Sequence, residues 1–192
     1  MNIDIKNSII KKSIAVLNAG GTILYPTDTV WGIGCDATNA EAIAKVYEIK
    51  KRSTKKPLIL LMHNKDLLNN YINSVPKIVN QIINKSSRPT TIIYNNPINL
   101  PKTLIYQDTI AIRIIKKSNL NELLNSFKKP ITSTSANISG NKTPDKLDNI
   151  DDTIKNSVDY IIPEAFVKND AYNKASKLIK IIGKSRIEII RN

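Results

Sequence analysis

The sequence predicts an α/β protein in which a twisted mixed sheet is flanked by helices. Short apolar runs of strand length alternate with amphipathic segments of helical period along the chain. Some successive strands are separated by too few residues for a crossover helix, which requires antiparallel neighbours as well as parallel ones. The chain has 192 residues, of which 41% are apolar. This size and composition suit one core, and we expect a single domain over residues 1–192.

The individual elements follow from these two patterns, the short apolar run of a strand and the amphipathic segment of a helix. Apolar residues near a helical period predict a helix over residues 5–19, which the glycine pair at 20–21 ends. Residues 22–25 are apolar and partly β-branched and predict a buried strand. Asn39 can cap a second helix, which we expect to end near residues 50–52. The same criteria predict strands over residues 58–62, 91–94, 110–114, 131–133, 160–162, 178–182 and 187–190, and helices over residues 64–72, 75–85, 118–127 and 146–156.

The chain is strongly basic, with a formal charge of +13 and a pI near 9.7. A basic surface gathers phosphates through counterion release, which favours nucleic acid as a partner. An abundance of Lys, Asn and Ile is also typical of AT-rich coding sequences. Total charge does not separate these two explanations.

Cysteine and histidine usage argues against two kinds of site. Cys35 is the one cysteine and His63 the one histidine, so the sequence predicts neither an internal disulfide nor a Cys/His zinc cluster. No apolar run approaches the roughly 20 residues that span a bilayer, and residues 1–7 lack the features of a secretory signal. We therefore expect a cytoplasmic protein without a membrane partner.

The most informative segment is YPTDTVWGIGCD at residues 25–36. It follows a predicted strand, so its turn lies at the carboxyl end of that strand. Residues 27–29 supply oxygens that either close the turn locally or face a ligand, and the residues alone leave both interpretations open. Gly32 and Gly34 could let a main chain approach a ligand closely, but the pair lacks the third glycine of a dinucleotide fingerprint.

Cations crowd the connection that follows the second helix, where Lys50, Arg52, Lys55 and Lys56 share one short loop. A solvated run of charge is the ordinary explanation of such a cluster. The alternative is that Lys50 and Arg52 alternate in an extended segment and point the same way toward a triphosphate. Arginine grips oxygens in a fork and lysine acts as a point charge, so the pair suits that role.

A second polar segment, ITSTSANISG at residues 131–140, places hydroxyls and an amide on a strand end and the loop after it. Its donors either surround anionic oxygens or satisfy their own backbone. No GxSxG elbow surrounds these serines, and no motif links His63 to them as a base. A Walker-type loop is also absent from the sequence. Serine-hydrolase and P-loop chemistry therefore have little support.

Taken together, these segments resemble the YrdC-like threonylcarbamoyl-AMP synthase family in its single-domain form. The resemblance covers nearly the whole chain and rests on the order and spacing of five blocks. These are YPTDTVWGIGCD at 25–36, KKR at 50–52, KPLI at 56–59, IAIR at 110–113 and STSANISG at 133–140.

The resemblance implies a fold and a reaction. Such enzymes form threonylcarbamoyl-AMP and pyrophosphate from L-threonine, bicarbonate or CO2, and ATP, for threonylcarbamoyladenosine modification of tRNA. Their twisted sheet curves around a basic groove. Mg2+ would bind with ATP, without a dedicated protein metal site. The product would pass to proteins of the tRNA threonylcarbamoyl-transferase complex, and double-stranded RNA or tRNA would be a further partner.

The resemblance also assigns site residues. Lys50 and Arg52 would be catalytic and would contact the ATP phosphates. Threonine would contact Thr27, Arg113, Ser133 and Ser176. ATP would also contact Thr109, Ser135, Asn137, Ser139 and Arg191.

Two segments depart from the family pattern. Many relatives carry a Trp-Pro-Gly-Pro-type segment around residues 88–91, where only Pro89 and Thr91 match. Near Ser176, where the family has a glycine-rich approach and a Ser-Thr pair, this sequence has NKASK at residues 173–177.

Two other functions remain as alternatives. One is a paralogue of the same fold that binds double-stranded RNA or tRNA without synthase activity, since fold alone does not decide function. The other is carbamoyl transfer from carbamoyl phosphate, which would need accessory acylphosphatase and zinc-finger segments that are missing from this sequence.

Overall fold

The computed structural model describes residues 1–167, 174–183 and 186–192. In these residues the helices are α1 (Ile3–Asn18), α2 (Ala40–Ile49), α3 (Ile78–Lys85), α4 (Asn119–Phe127) and α5 (Asp152–Ser157). The strands are β1 (Thr22–Tyr25), β2 (Gly32–Cys35), β3 (Ile59–Met62), β4 (Thr90–Asn95), β5 (Thr109–Ile114), β6 (Ile131–Ser135), β7 (Tyr160–Ile161), β8 (Lys177–Ile182) and β9 (Arg186–Arg191). Across the same residues, no helix has the length and apolar character needed to cross a membrane.

The strands form one mixed sheet in the order β7-β1-β2-β6-β3-β5-β4-β8-β9. The pairs β1–β7, β3–β5 and β4–β8 are parallel, and the other neighbouring pairs are antiparallel. The predicted α/β class with a mixed sheet is therefore confirmed. Strand β6 lies between β2 and β3 and so joins the two halves of the sheet.

Apolar side chains fill both faces of this sheet. Ile33, Leu60 and Ile112 belong to a core cluster that packs against α2, whereas Leu61 and Ile131 belong to a second cluster that packs against α1 and α4. Successive strand residues point to opposite faces, which explains how Leu60 and Leu61 enter different clusters.

Helix α2 begins where the sequence predicts. The Asn39 side chain accepts hydrogen bonds from the backbone N–H groups of Glu41 at 3.0 Å and Ala42 at 3.1 Å, as an amino-terminal cap does. The helix ends at Ile49, and Lys50 is its carboxyl-terminal cap. Lys50 and Arg52 therefore do not alternate in an extended segment, and that part of the prediction is wrong.

Three predicted helices are shorter than expected, and one of them is α3, which begins at Ile78 rather than at residue 75. The helix expected over residues 64–72 is a 3-10 helix at Asp66–Asn70. The one expected over residues 146–156 divides into a 3-10 turn at Leu147–Asn149 and the short helix α5. Asp151 separates them because its carboxylate caps α5 through the Thr153 N–H at 2.8 Å, and a capping residue lies outside its own helix.

The sequence analysis does not predict strand β2. This strand depends on its glycines, because they leave room for the neighbouring strand β6. A Cβ atom added at Gly34 would lie 1.9 Å from the backbone oxygen of Thr132 in β6. The expected close approach of a main chain at Gly34 therefore exists, but the approaching chain is a neighbouring strand rather than a ligand.

Replacing Gly34 tests this strand contact. We expect Gly34→Ala to lower the free energy of unfolding by about 3 kcal/mol, because β2 and β6 must separate to admit a methyl group. Gly183→Ala is the control, since nothing lies within 4 Å of an added Cβ there and its positive φ alone costs about 1 kcal/mol. Chemical denaturation measures both. Equal losses in the two variants would contradict the contact.

Candidate active site

A cavity of about 410 Å³ opens on the face of the sheet that carries Arg113. Its charged lining consists of Arg52, Arg113, Lys174, Arg191 and Asp145. Cations therefore outnumber carboxylates in the wall, which suits anionic ligands. Predicted site residues in the wall are Thr27, Arg52, Arg113, Ser133, Ser135, Ser176 and Arg191.

The sheet register brings distant parts of the chain to this cavity. Leu61 pairs with Arg113, and Thr91 pairs with Arg113 from the other side. The hydroxyls of Thr91 and Ser176 are 2.7 Å apart, and this contact attaches the segment before β8 to β4. Arg191 then donates from Nε and Nη2 to the backbone oxygen of Ser176, at 3.1 and 2.9 Å. The end of β9 thereby reaches the cavity.

The turn after β1 forms one wall. The Thr27 hydroxyl donates to the backbone oxygen of Val30 at 2.7 Å and accepts from the Thr29 N–H at 3.0 Å. The sequence left open whether Thr27 closes its own turn or faces a ligand. In the structure Thr27 closes the turn and also lines the cavity. This internal bonding holds the hydroxyl in one orientation.

Arg113 is the most deeply placed cation in the cavity wall, with 3% of its side chain exposed. Its Nη2 forms an ion pair with the Asp28 carboxylate at 3.0 Å, and 28% of the Asp28 side chain is exposed. The buried Nε of Arg113 has no hydrogen-bond partner among the described residues. A buried guanidinium N–H without an acceptor is costly, so this position favours an anionic or carbonyl oxygen from a ligand.

Lys50 is buried, with 1% of the residue exposed, and it does not line the cavity. Its ammonium donates to the backbone oxygens of Ser135 and Asn137, the latter at 2.6 Å. In return, the Ser139 N–H donates to the Lys50 backbone oxygen at 2.9 Å. Burial and the nearby Arg52 cation lower the pKa of Lys50 to about 8. The structure thus places Lys50 behind the loop that follows β6.

Arg52 reaches the cavity from the same connection. Its Nε donates to the Lys56 backbone oxygen at 2.9 Å, and its Nη2 donates to the Pro57 backbone oxygen at 3.2 Å. Burial lowers the pKa of Arg52. These two bonds orient the guanidinium while leaving further N–H donors for a ligand.

The loop after β6 uses most of its polar groups internally. The Ser135 hydroxyl donates to the Asn137 side-chain oxygen at 2.5 Å, and the Asn137 amide donates to the backbone oxygens of Ile138 and Asn141. Ser135 lines the cavity, whereas Asn137 and Ser139 do not. The latter two contribute to the shape of the loop.

Thr109 lies outside the cavity wall. It shares a face with Arg113, because Thr109 and Arg113 are separated by an even number of residues on β5. At roughly 3.3 Å per residue, the two backbones are about 13 Å apart. Thr109 can therefore meet only a ligand that extends along the sheet.

Several residues at or beside the cavity are missing from the sequence prediction of site residues. Asp28 lies outside the cavity wall but pairs with Arg113, and that pairing depends on the folded sheet. Asp145 and Lys174 carry no local signal that separates them from surface charges. The departing segment at residues 88–91 contributes Arg88, Pro89 and Thr90 to a neighbouring cavity. Asn173, from the other departing segment, lies outside the described residues.

Comparisons with known proteins identify relatives over most of the chain. The Sua5/YciO/YrdC family model, described as telomere recombination, matches residues 15–192. A putative threonylcarbamoyl-AMP synthase of Methanocaldococcus jannaschii is 38% identical over 169 residues, which cover 86% of this chain and 76% of that protein. A threonylcarbamoyl-AMP synthase of Pseudoalteromonas translucida is 39% identical over 140 residues, or 71% of this chain and 75% of that protein.

A solved structure supports the same fold. The crystal structure of P. abyssi Sua5 complexed with L-threonine matches 90% of this chain with a TM-score of 0.81 and 22% sequence identity. The chain spans about half of that protein, since the match covers 50% of its length.

The lowered pKa of Lys50 predicts how stability depends on pH. Between about pH 8 and 10.5, the ordinary pKa of a lysine, the unfolded chain binds more protons at this lysine than the folded chain does, so stability rises with pH by up to about 3 kcal/mol. Below pH 8 both states are protonated and the contribution is constant. We expect Lys50→Met to remove this rise and Lys51→Met, at an exposed neighbour, to keep it. Denaturation across this pH range measures the effect. If stability depended on pH in the same way in both variants, the assignment of this rise to Lys50 would be refuted.

The Arg113–Asp28 ion pair generates a second prediction. Asp28→Asn leaves a buried cation without its countercharge and should lower the free energy of unfolding by about 2 kcal/mol. Pyrophosphate should then raise the melting temperature of this variant more than that of the wild type, because the anion replaces the lost charge. Asp145→Asn is the control, since Asp145 is an exposed carboxylate in the wall of the cavity that Arg113 lines. Equal pyrophosphate shifts in all three proteins would argue against the pair.

Proposed function

The chain belongs to the Sua5/YciO/YrdC family, and we propose that it is an L-threonylcarbamoyladenylate synthase that uses L-threonine, bicarbonate or CO2, and ATP. Relatives named threonylcarbamoyl-AMP synthase support this proposal, as does the fold shared with a protein that was crystallised with L-threonine. The observation that carries it is the convergence of Thr27, Arg52, Arg113 and Ser176 on one cavity.

The proposed reaction needs no nucleophile from the protein. The amine of threonine adds to CO2 and gives a carbamate. A carbamate oxygen then attacks the α-phosphorus of ATP, the bond from that phosphorus to the bridging oxygen breaks, and pyrophosphate leaves. The enzyme must hold anions side by side and neutralise their repulsion, which is the work of positioned cations and hydrogen-bond donors.

We assign the threonine site to the strands. Arg113 offers an unpartnered N–H at the base of the cavity, and the hydroxyls of Ser133 and Ser176 lie in the same wall with that of Thr27. A carboxylate accepts well from a guanidinium and from hydroxyl groups. Arg113 would therefore bind the amino acid carboxylate while Asp28 keeps its side chain in place.

We assign the triphosphate to the cations at the rim, Arg52 and Arg191, and to Ser135. The nucleoside would then extend along the sheet past Ala111 toward Thr109, on the face that these two residues share with Arg113. Lys50 would act as a positioning residue for the loop that contains Ser135, Asn137 and Ser139, since its ammonium already binds that loop.

Magnesium would bind with ATP in this proposal. The described residues contain no group of three or more His, Cys, Asp or Glu side chains that could hold a metal ion, and Asp145 is the carboxylate among the described cavity residues. Mg2+ commonly binds through one or two carboxylates, water and substrate phosphates, which this arrangement fits. The metal would supply charge neutralisation on the triphosphate.

The product and the location of the protein complete the proposal. A mixed anhydride of a carbamate and AMP is labile, so its use in tRNA modification requires prompt transfer to proteins of the tRNA threonylcarbamoyl-transferase complex. Such transfer would occur in the cytoplasm. The basic composition is compatible with direct contact to tRNA.

Pyrophosphate release tests the function. Purified protein with ATP, Mg2+ and bicarbonate should release pyrophosphate when L-threonine is added and much less with other amino acids. Arg52→Ala should lower kcat/KM about 100-fold, because it removes a donor aimed at developing charge. Lys55→Ala is the matched control at an exposed lysine of the same connection, and it should retain activity.

Two outcomes would contradict this proposal. If Arg52→Ala released pyrophosphate as fast as the wild type and Lys55→Ala do, the assigned site would be wrong. Tight, strongly salt-dependent binding of double-stranded RNA without any pyrophosphate release would instead support the RNA-binding paralogue.

A further inference from the structure

A second cavity, of about 240 Å³, lies between α3 and the sheet. Its apolar wall is formed by Ile82 of α3, Ile92 of β4, and Ile112 and Ile114 of β5. Interiors are normally packed without voids much larger than a water molecule, and apolar cavities of this order bind small apolar molecules. The cavity therefore has the size and lining of a ligand site.

The cavity is elongated along β4. Thr90, Ile92 and Tyr94 alternate with residues of the other face and all line it. At roughly 3.3 Å per residue, the backbones of Thr90 and Tyr94 are about 13 Å apart. The volume equals that of about eight water molecules at roughly 30 Å³ each, which is room for a short chain of about as many non-hydrogen atoms. A linear molecule fits this shape better than a compact one.

The two ends of the cavity differ in charge. At the end near Thr90, Arg88 and Lys116 contribute positive charge, and the Lys116 ammonium is held over the lip by the Ser86 backbone oxygen at 2.6 Å. Asp28 also lies in this wall, but its carboxylate is paired with Arg113. With Asp28 paired to Arg113, the Lys116 ammonium gives this end of the cavity a positive charge, which favours an anionic group.

The opposite end carries a buried phenol. Tyr94 is 1% exposed, and its hydroxyl has no hydrogen-bond partner among the described residues. Burial raises the pKa of Tyr94, so the hydroxyl stays protonated and can donate. An unpaired buried hydroxyl is costly, which favours a ligand that brings an acceptor oxygen to this end.

We propose that this cavity binds a linear carboxylate that has an aliphatic body of about six carbons and an acceptor oxygen at its far end. The carboxylate lies at the lip beside Lys116, the body packs against the isoleucines, and the acceptor receives the Tyr94 hydroxyl. This site is separate from the candidate active site, from which the Asp28–Arg113 ion pair divides it, and it does not depend on the proposed enzymatic function.

Paired probes test the site by isothermal titration. We expect 7-oxooctanoate to bind the wild type about threefold or more tighter than octanoate, because its keto oxygen accepts from Tyr94, and such a bond contributes about 0.5–1.5 kcal/mol. Tyr94→Phe should remove this preference and leave octanoate binding unchanged. A preference that survives in Tyr94→Phe would overturn the role of the hydroxyl.

Further variants locate the binding. Lys116→Ala should weaken both carboxylates a few-fold, as expected for a partly exposed charge pair, whereas Lys117→Ala is the matched control at an exposed neighbour outside the cavity. Ser86→Trp should block the lip and abolish binding, and Ile98→Trp, at an exposed position elsewhere, should not. Absence of binding at 10 mM of either probe, or binding that ignores Ser86→Trp, would overturn the site.

Discussion

The arrangement of the candidate active site depends on the buried ammonium of Lys50. It donates to the backbone oxygens of Ser135 and Asn137, and the Ser139 N–H donates back to the Lys50 oxygen. These bonds tie the end of α2 to the loop after β6, although the two segments are more than 80 positions apart in the sequence. A lysine that is bound in this way organises the pocket wall, and in the proposed function it would leave contact with the ligand to Arg52 and Arg113.

Crowding of cations is the second constraint on the site. Arg113 lowers the pKa of Arg191, after the larger effect of burial, and Arg52 lowers the pKa of Lys50 in the same secondary way. These pKa directions indicate like-charge repulsion between Arg113 and Arg191 in the cavity wall and between Arg52 and Lys50 beside it. The Asp28 carboxylate relieves only one of them, at Arg113. Anionic substrates would relieve the rest, so the repulsion that lowers stability also increases affinity.

Local patterns predict most of the strands, but they do not predict how polar side chains near the cavity are bonded. Apolar runs identify β3 to β6 because their burial follows a period of two or a continuous run. Strand β2 is missed because its glycines carry no β-propensity, and its need for Gly34 arises from contact with Thr132. The orientation of Lys50 is missed for a related reason, since its partners are backbone oxygens that no side-chain pattern reveals.

The position of β6 explains how one cavity can serve two kinds of substrate. Ser133 pairs with Ile59 of β3, and Ser135 pairs with Gly32 of β2, so the strand carries polar groups at the junction of the two halves of the sheet. Groups on strands hold fixed positions, whereas groups on loops can adjust. The proposed threonine contacts come largely from strands and their ends, and the proposed phosphate contact of Arg52 comes from a loop. Residues of the sheet would therefore select threonine, and Arg52, on the connection after α2, would adjust as pyrophosphate departs.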